Sequence, residues 1–123
     1  MERIKTPKRR VLVVDDDPSI REMISDFLET EGYLVDTAAD GDEGLRVVER
    51  VTPSIVLLDM RMPVMDGWGF ARALRQRGIK LPILVVTAAQ NPRRWAEEIG
   101  AEGYIAKPFD LTDLLSAVER LSA

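Results

Sequence analysis

The chain has 123 residues, with 17 Lys and Arg against 21 Asp and Glu, a formal net charge of −4, and neither cysteine nor histidine. Against a prior of roughly 150 residues per domain this is one domain. The missing residue types exclude disulfides, thiol catalysis, Ser–His triads, Cys- or His-ligated metals and a phosphohistidine carried by this chain itself. A net acidic chain lacks the basic field of a nucleic-acid binder, no apolar run approaches the ~20 residues of a membrane span, and without an apolar leader after Met1 a cytoplasmic setting is expected.

Residues 1–9 are polar and basic and read as a flexible lead-in to a single domain over 10–123. Val11-Leu12-Val13-Val14 is the first of three short, continuous apolar runs, the texture of strands covered on both faces in a parallel sheet. It ends in Asp15-Asp16-Asp17, and Asp17 before Pro18 reads as a helix N-cap followed by Pro at the first helical position. The helix carries Ile20, Met23, Ile24, Phe27 and Leu28 at i, i+3, i+4, i+7 and i+8, one apolar stripe, and Gly32 stops it. Tyr33-Leu34-Val35 is a weaker run suited to an edge strand. Asp40 with Glu43 resembles a capping box before a helix marked by Leu45 and Val48. Ile55-Val56-Leu57-Leu58 is the next buried run and ends in Asp59. Asp66 is the N-cap candidate for a helix bearing Phe70 and Leu74, with Gly78 at its stop. Trp68, at the start of that helix, is expected to be partly packed. Ile83-Leu84-Val85-Val86 ends in Thr87-Ala88. Asn91-Pro92 opens a helix over 92–100 with Ala96 and Ile99 inside. Trp95 on it faces either the core or an output surface, and Arg93-Arg94 reads as a solvated face or a contact for an acidic partner. Gly103-Tyr104-Ile105-Ala106 suits an edge strand ending in Lys107-Pro108. Asp110 then precedes a last helix lined by Leu111, Leu114, Leu115, Val118 and Leu121.

Strands alternating with helices imply parallel pairing with right-handed crossovers. Five strands are too few for an eight-fold barrel. The expected fold is α/β, (βα)5 doubly wound, a flavodoxin-like open parallel sheet with strand order 2-1-3-4-5. Ligands in such sheets sit beyond the carboxyl ends of the strands. That rim collects Asp15 and Asp16, Asp59, Thr87 and Lys107. Taken singly, each has an ordinary reading: a cap, a solvated turn, a structural hydroxyl, a surface lysine. Taken together, crowded carboxylates call for a proton or a cation, and oxygen-only donors select a hard ion, Mg2+ or Mn2+. Acids, a dication, a lysine and a hydroxyl suit phosphoryl transfer, with an aspartate able to serve as nucleophile.

The runs Val14-Asp15-Asp16-Asp17, Leu58-Asp59-Met60-Arg61-Met62-Pro63-Val64-Met65-Asp66-Gly67, Val86-Thr87-Ala88 and Gly103-Tyr104-Ile105-Ala106-Lys107-Pro108-Phe109 resemble the receiver domain of bacterial response regulators, in the manner of the single-domain chemotaxis-type regulators. The resemblance spans about residues 10–121. It implies Asp59 as phosphoacceptor in a two-component phosphorelay. Asp16, Asp59 and the backbone carbonyl of Arg61 would ligate Mg2+ (or Mn2+), with Asp15 acting through a water. Lys107 would pair with Asp59 and then with the phosphoryl oxygens. Thr87 and Tyr104 would form the switch, and the Lys107–Pro108 peptide would be cis. Arg61 and Ala89 would tune dephosphorylation, with slow loss expected. The donor would be a sensor histidine kinase or a histidine phosphotransfer protein. The output surface would lie on the fourth helix, fifth strand and fifth helix, with a phosphorylation-dependent homodimer as one open outcome. The chain would then be a signalling domain that catalyses only its own phosphorylation and slow autodephosphorylation, with no nucleic-acid or membrane contact. Three rival readings fit the chain less well. A degenerate receiver acting as a phosphorylation-independent scaffold is opposed by the intact Asp15, Asp16, Asp59, Thr87 and Lys107. An aspartyl-phosphate hydrolase would use Asp15-x-Asp17. A flavin-binding protein of this topology would want a Ser/Thr/Gly-rich loop where three acids stand.

Overall fold

The computed structural model describes residues 9–122; the lead-in expected over 1–9 lies, apart from residue 9, outside the described residues. Ten elements alternate along the chain: β1 (Arg10–Val14), α1 (Pro18–Thr30), β2 (Leu34–Ala38), α2 (Gly41–Arg50), β3 (Ile55–Leu58), α3 (Gly67–Gln76), β4 (Ile83–Thr87), α4 (Pro92–Ile99), β5 (Gly103–Ala106) and α5 (Leu111–Leu121). The five strands pair in parallel in the order β2-β1-β3-β4-β5. Among the described residues no helix is long and apolar enough to cross a membrane.

The continuous apolar runs follow from there being two cores. Successive side chains on a strand point to opposite faces. Leu12, Val14, Val56, Leu58, Ile83 and Val85 therefore join Leu45, Val48, Phe70, Leu74, Ala96 and Ile99 beneath α2, α3 and α4. Val11, Val13, Ile55, Leu57, Leu84 and Val86 join Ile24, Leu28, Leu114 and Val118 beneath α1 and α5. Both neighbours of each position are thus buried, and no polar residue interrupts β3. The edge strand β5 alternates between half-buried and exposed instead.

Local chemistry sets the helix ends. The Asp17 carboxylate accepts from the N–H groups of Ser19 and Ile20 at 2.9 and 3.4 Å, Asp40 accepts from Glu43, and Asp66 from Gly69, both at 2.9 Å. Glu43 reaches back to the N–H of Ala39 at 3.2 Å, one residue outside the capping-box position. Asn91 and Asp110 stand at their N-caps without a side-chain hydrogen bond there. Gly32 and Gly78 take positive φ just past α1 and α3, and Gly100 closes α4 the same way.

Two expectations shift. Strand β2 runs over Leu34–Ala38 rather than 33–35, because pairing with β1 carries it through Asp36 and Thr37, polar residues that hid it in the sequence. Met23 is exposed, since Ile24 and Leu28 hold the centre of the α1 stripe and Met23 falls at its margin. Arg93 and Arg94 form the solvated face expected of them, both exposed and each 3.5 Å from an acid of their own helix, Glu97 and Glu98.

Candidate functional site

Parallel pairing continues one residue past the ends of the strands, and that extension gathers the polar residues. The N–H of Asp15 donates to the Ala38 carbonyl at 3.0 Å, that of Asp59 to Val14 at 2.9 Å, and that of Lys107 to Thr87 at 2.9 Å. Asp15, Asp59 and Lys107, far apart in sequence, are pinned to one rim by backbone alone. Carboxylate oxygens of Asp15, Asp16 and Asp59 all lie within 4.8 Å of one another. Asp15 and Asp59 are 2% and 7% exposed, while Asp16 is exposed. Asp17, third in the acidic run, is turned away to cap α1.

Lys107 Nζ donates to Asp15 Oδ2 at 2.8 Å and stands 3.8 Å from Asp59 Oδ2. Its expected pairing with Asp59 is therefore the longer of two contacts. The other Asp15 oxygen accepts the N–H of Asp17 at 2.9 Å, and Arg21 Nη1 donates to the Asp15 carbonyl at 2.7 Å. Each Asp15 oxygen thus accepts a short hydrogen bond, one of them from the lysine. Burial pushes the Asp59 carboxyl up to about 6, and the Asp15 and Asp16 charges push the same way. The Lys107 ammonium and the backbone N–H of Arg61 oppose this without cancelling it. A carboxyl so placed favours a proton until a cation offsets its neighbours. The donor set of two buried oxygen ligands, one exposed ligand and no nitrogen or sulfur fits a hard dication.

A cleft of about 570 Å³ opens over Asp59, with Thr87 and Lys107 in its wall. Thr87 is buried, and its Oγ1 accepts the Ala89 N–H at 3.4 Å. Ala88 and Ala89 line the same cleft. Tyr104 is 48% exposed on β5 and is not among the residues lining the cleft. The Lys107–Pro108 peptide is cis.

The loop after Asp59 is held from both ends. Gly67 donates to the Met60 carbonyl at 2.9 Å, and a Cβ at Gly67 would stand 2.8 Å from the Met60 Cα and 3.0 Å from the Asp59 carbonyl oxygen, backbone atoms that cannot give way, so only glycine lets α3 start this close. Gly41 of α2 donates to the Met65 carbonyl at 2.9 Å, and Met65 donates to Pro63 at 2.7 Å around Val64, whose φ is +70°. A β-branched residue in that left-handed region is strained, and the two flanking hydrogen bonds hold it there.

What sequence reasoning missed is aromatic. Trp95 neither sinks fully into the core nor joins a remote face: it packs against the core from a half-buried position and forms a wall of the cleft. Trp68 meets it edge-on, with centroids 4.8 Å apart. The available signal was position. Helices that follow strands in such sheets begin at the carboxyl rim, and both tryptophans lie in the first turn of a helix.

The family model for the response regulator receiver domain matches residues 11–119. The response regulator MprA of Mycobacterium leprae is 42% identical over 114 residues, covering 91% of this chain and 50% of its own length. A transcriptional regulator described as ycf27, from Cyanophora paradoxa, is 39% identical over 116 residues, covering 93% of this chain and 48% of its own length. The chain thus spans about half the length of these curated relatives. Among solved structures, the chemotaxis protein CheY4 of Vibrio cholerae is similar with a TM-score of 0.86 and 37% identity, over 94% of this chain and 99% of that one. TrrA of Thermotoga maritima, solved with Mg2+ and BeF, is similar with a TM-score of 0.83 and 34% identity, over 92% of this chain and 98% of that one.

Proposed function

The chain belongs to the response regulator receiver family of two-component signalling, and from that premise we propose that it is a phosphorylation switch whose acceptor is Asp59. One observation carries this reading: the Asp15, Asp16 and Asp59 oxygens gather within 4.8 Å, with the Lys107 ammonium between two of them.

An Asp59 oxygen attacks the phosphorus of a phosphohistidine on another protein. The P–N bond breaks, a P–O bond forms, and the product is an acyl phosphate. None of these 123 residues is a histidine, so the phosphohistidine lies outside them, on a sensor histidine kinase or a histidine phosphotransfer protein acting in the cytoplasm. Asp16, Asp59 and the Arg61 carbonyl would hold Mg2+, or Mn2+ in its place, with Asp15 reached through water; the ion supplies neutralisation of the charge on the phosphoryl oxygens. Lys107 moves its contact from carboxylate to phosphoryl oxygen. Thr87 turns its hydroxyl from the Ala89 N–H to the phosphate, and the small Ala88 leaves it room. These contacts exist only in the modified state, so they bias the fold toward it. Tyr104, exposed in this state, swings inward as Thr87 moves, and the surface of α4, β5 and α5 changes with it. That surface would meet the downstream target or a second copy of the chain.

Arg61 stands at the cleft mouth, and Ala89 offers no group to orient an attacking water, so the phosphoryl group is lost slowly. Beyond its own phosphorylation and this slow loss, no further catalysis is proposed.

Intact mass after incubation with Mg2+ and acetyl phosphate tests the proposal. The expected result is a gain of one phosphoryl group, absent in Asp59→Asn and absent when the metal is chelated. A folded protein that gains nothing from several donors would reduce the chain to a binding scaffold. A half-life of seconds would overturn the slow loss.

A further inference from the structure

Arg61 crosses the cleft. It leaves the backbone on the loop after β3, two residues past Asp59, and its guanidinium carbon lies 5.2 Å from the ring centroid of Trp95 on α4. Trp95 is itself braced. The Trp68 ring meets it at an interplanar angle of 64°. Trp68 Nε1 donates to Glu98 Oε1 at 2.9 Å, and Arg94 Nε stands 3.5 Å from Glu98 Oε2. The Trp68 indole from α3, itself held by an acid of α4, fixes the ring on which the guanidinium rests.

Indole is the strongest of the aromatic faces for a cation, and guanidinium is a planar, weakly hydrated one that stacks well. A guanidinium held by the ring through its charge keeps N–H groups with which to meet an oxyanion. Without the indole, a long and otherwise exposed side chain would spread over its rotamers in solvent.

Resting on the aspartyl-phosphate reading above, we infer that Trp95 is a positioning residue: braced by Trp68, it holds Arg61 across the mouth of the cleft, where the guanidinium shields an Asp59 phosphoryl group from water. The step it slows is attack of water on phosphorus, which breaks the bond to the Asp59 oxygen, regenerates the carboxylate and releases inorganic phosphate. A partly exposed cation–π contact changes the docked population of Arg61 roughly two- to five-fold, and the rate of phosphoryl loss follows.

The test is the decay of phosphorylated protein by intact mass, after loading with acetyl phosphate and Mg2+ and removal of the donor. Trp95→Ala and Arg61→Ala are each expected to lose the group roughly two- to five-fold faster than wild type. The double variant should decay no faster than the quicker single one, because both changes break one contact. Trp95→Phe, which keeps an aromatic face, should restore part of the lifetime. Arg93→Ala, on the same helix but paired with Glu97, should decay as wild type does. Circular dichroism of each variant separates unfolding from a change in rate; if Trp95→Ala is unfolded, Trp95→Phe against Arg61→Ala carries the comparison. Decay of folded Trp95 variants at the wild-type rate, additive effects in the double variant, or equal acceleration by Arg93→Ala would overturn the inference while leaving Asp59 as acceptor. Wild-type protein that takes up no phosphoryl group would overturn both.

Discussion

At the carboxyl rim of the sheet, like charges are crowded. Asp15 and Asp59 are buried beside Asp16, and Lys107 stands against the two buried ones. At the opposite end, charge is matched. Arg10 pairs with Asp36 at 2.7 Å, and the Glu102 carboxylate accepts the Ile83 N–H at 2.8 Å. One sheet, built from the same kind of strand, thus keeps an unsatisfied electrostatic site at one end and spends its charges on satisfied contacts at the other. Dense packing in the two cores tolerates the rim: it holds Asp59 where its own solvation would not place it.

Four measurements sharpen or break this contrast. The largest effect is expected at Asp59. Asp59→Asn should abolish phosphoryl uptake while leaving a folded protein, and uptake persisting in that variant would move the acceptor elsewhere. Next is Lys107→Met. It strips the cation from a pair whose side chains are 15% and 3% exposed, and such one-sided removal should cost roughly 3 kcal/mol in the metal-free protein at pH 7, read by urea unfolding. A loss no greater than that of a surface pair would mean the rim is better solvated than its burial implies.

The third is pH. Folding raises the Asp59 carboxyl from 3.8 to about 6, so the folded state binds that proton more tightly than the unfolded chain. The group's contribution to stability is complete below the ordinary carboxylate range and is lost as pH rises through about 6. Metal-free Asp59→Asn should therefore be more stable than wild type at pH 7, by roughly 1–3 kcal/mol. The gap should narrow at pH 5. A gap constant with pH would sink the claim, and saturating Mg2+ should also close it, because a dication stabilises the ionised form. Smallest is the opposite end: Asp36→Asn breaks a half-exposed pair and should cost about 0.2–1 kcal/mol, read by urea unfolding.

Much of this molecule is written locally. Three uninterrupted apolar runs could only be strands covered on both sides, and Asp17-Pro18, Asp40 and Asp66 announced their helices by hydrogen bonds made within three residues. The polar residues ending those runs were equally plain, so the rim of Asp15, Asp16, Asp59, Thr87 and Lys107 was legible once the topology was inferred. Strand β2 was half hidden, because its Asp36 and Thr37 become strand only by pairing with β1. Which carboxylate Lys107 prefers, and which group stays unsatisfied, depends on differences of about an ångström between partners 92 and 48 positions away, and spacing along a chain carries no such information. The contact of Arg61 with Trp95, itself braced by Trp68, was invisible for the same reason: three residues from a loop and two helices come together only because parallel strands bring the starts of α3 and α4 to the edge where Asp59 lies. Periodicity and caps act over a few residues and can be read in one dimension; electrostatic crowding and aromatic contact fall off over a few ångströms in three, and only the packed sheet sets those distances.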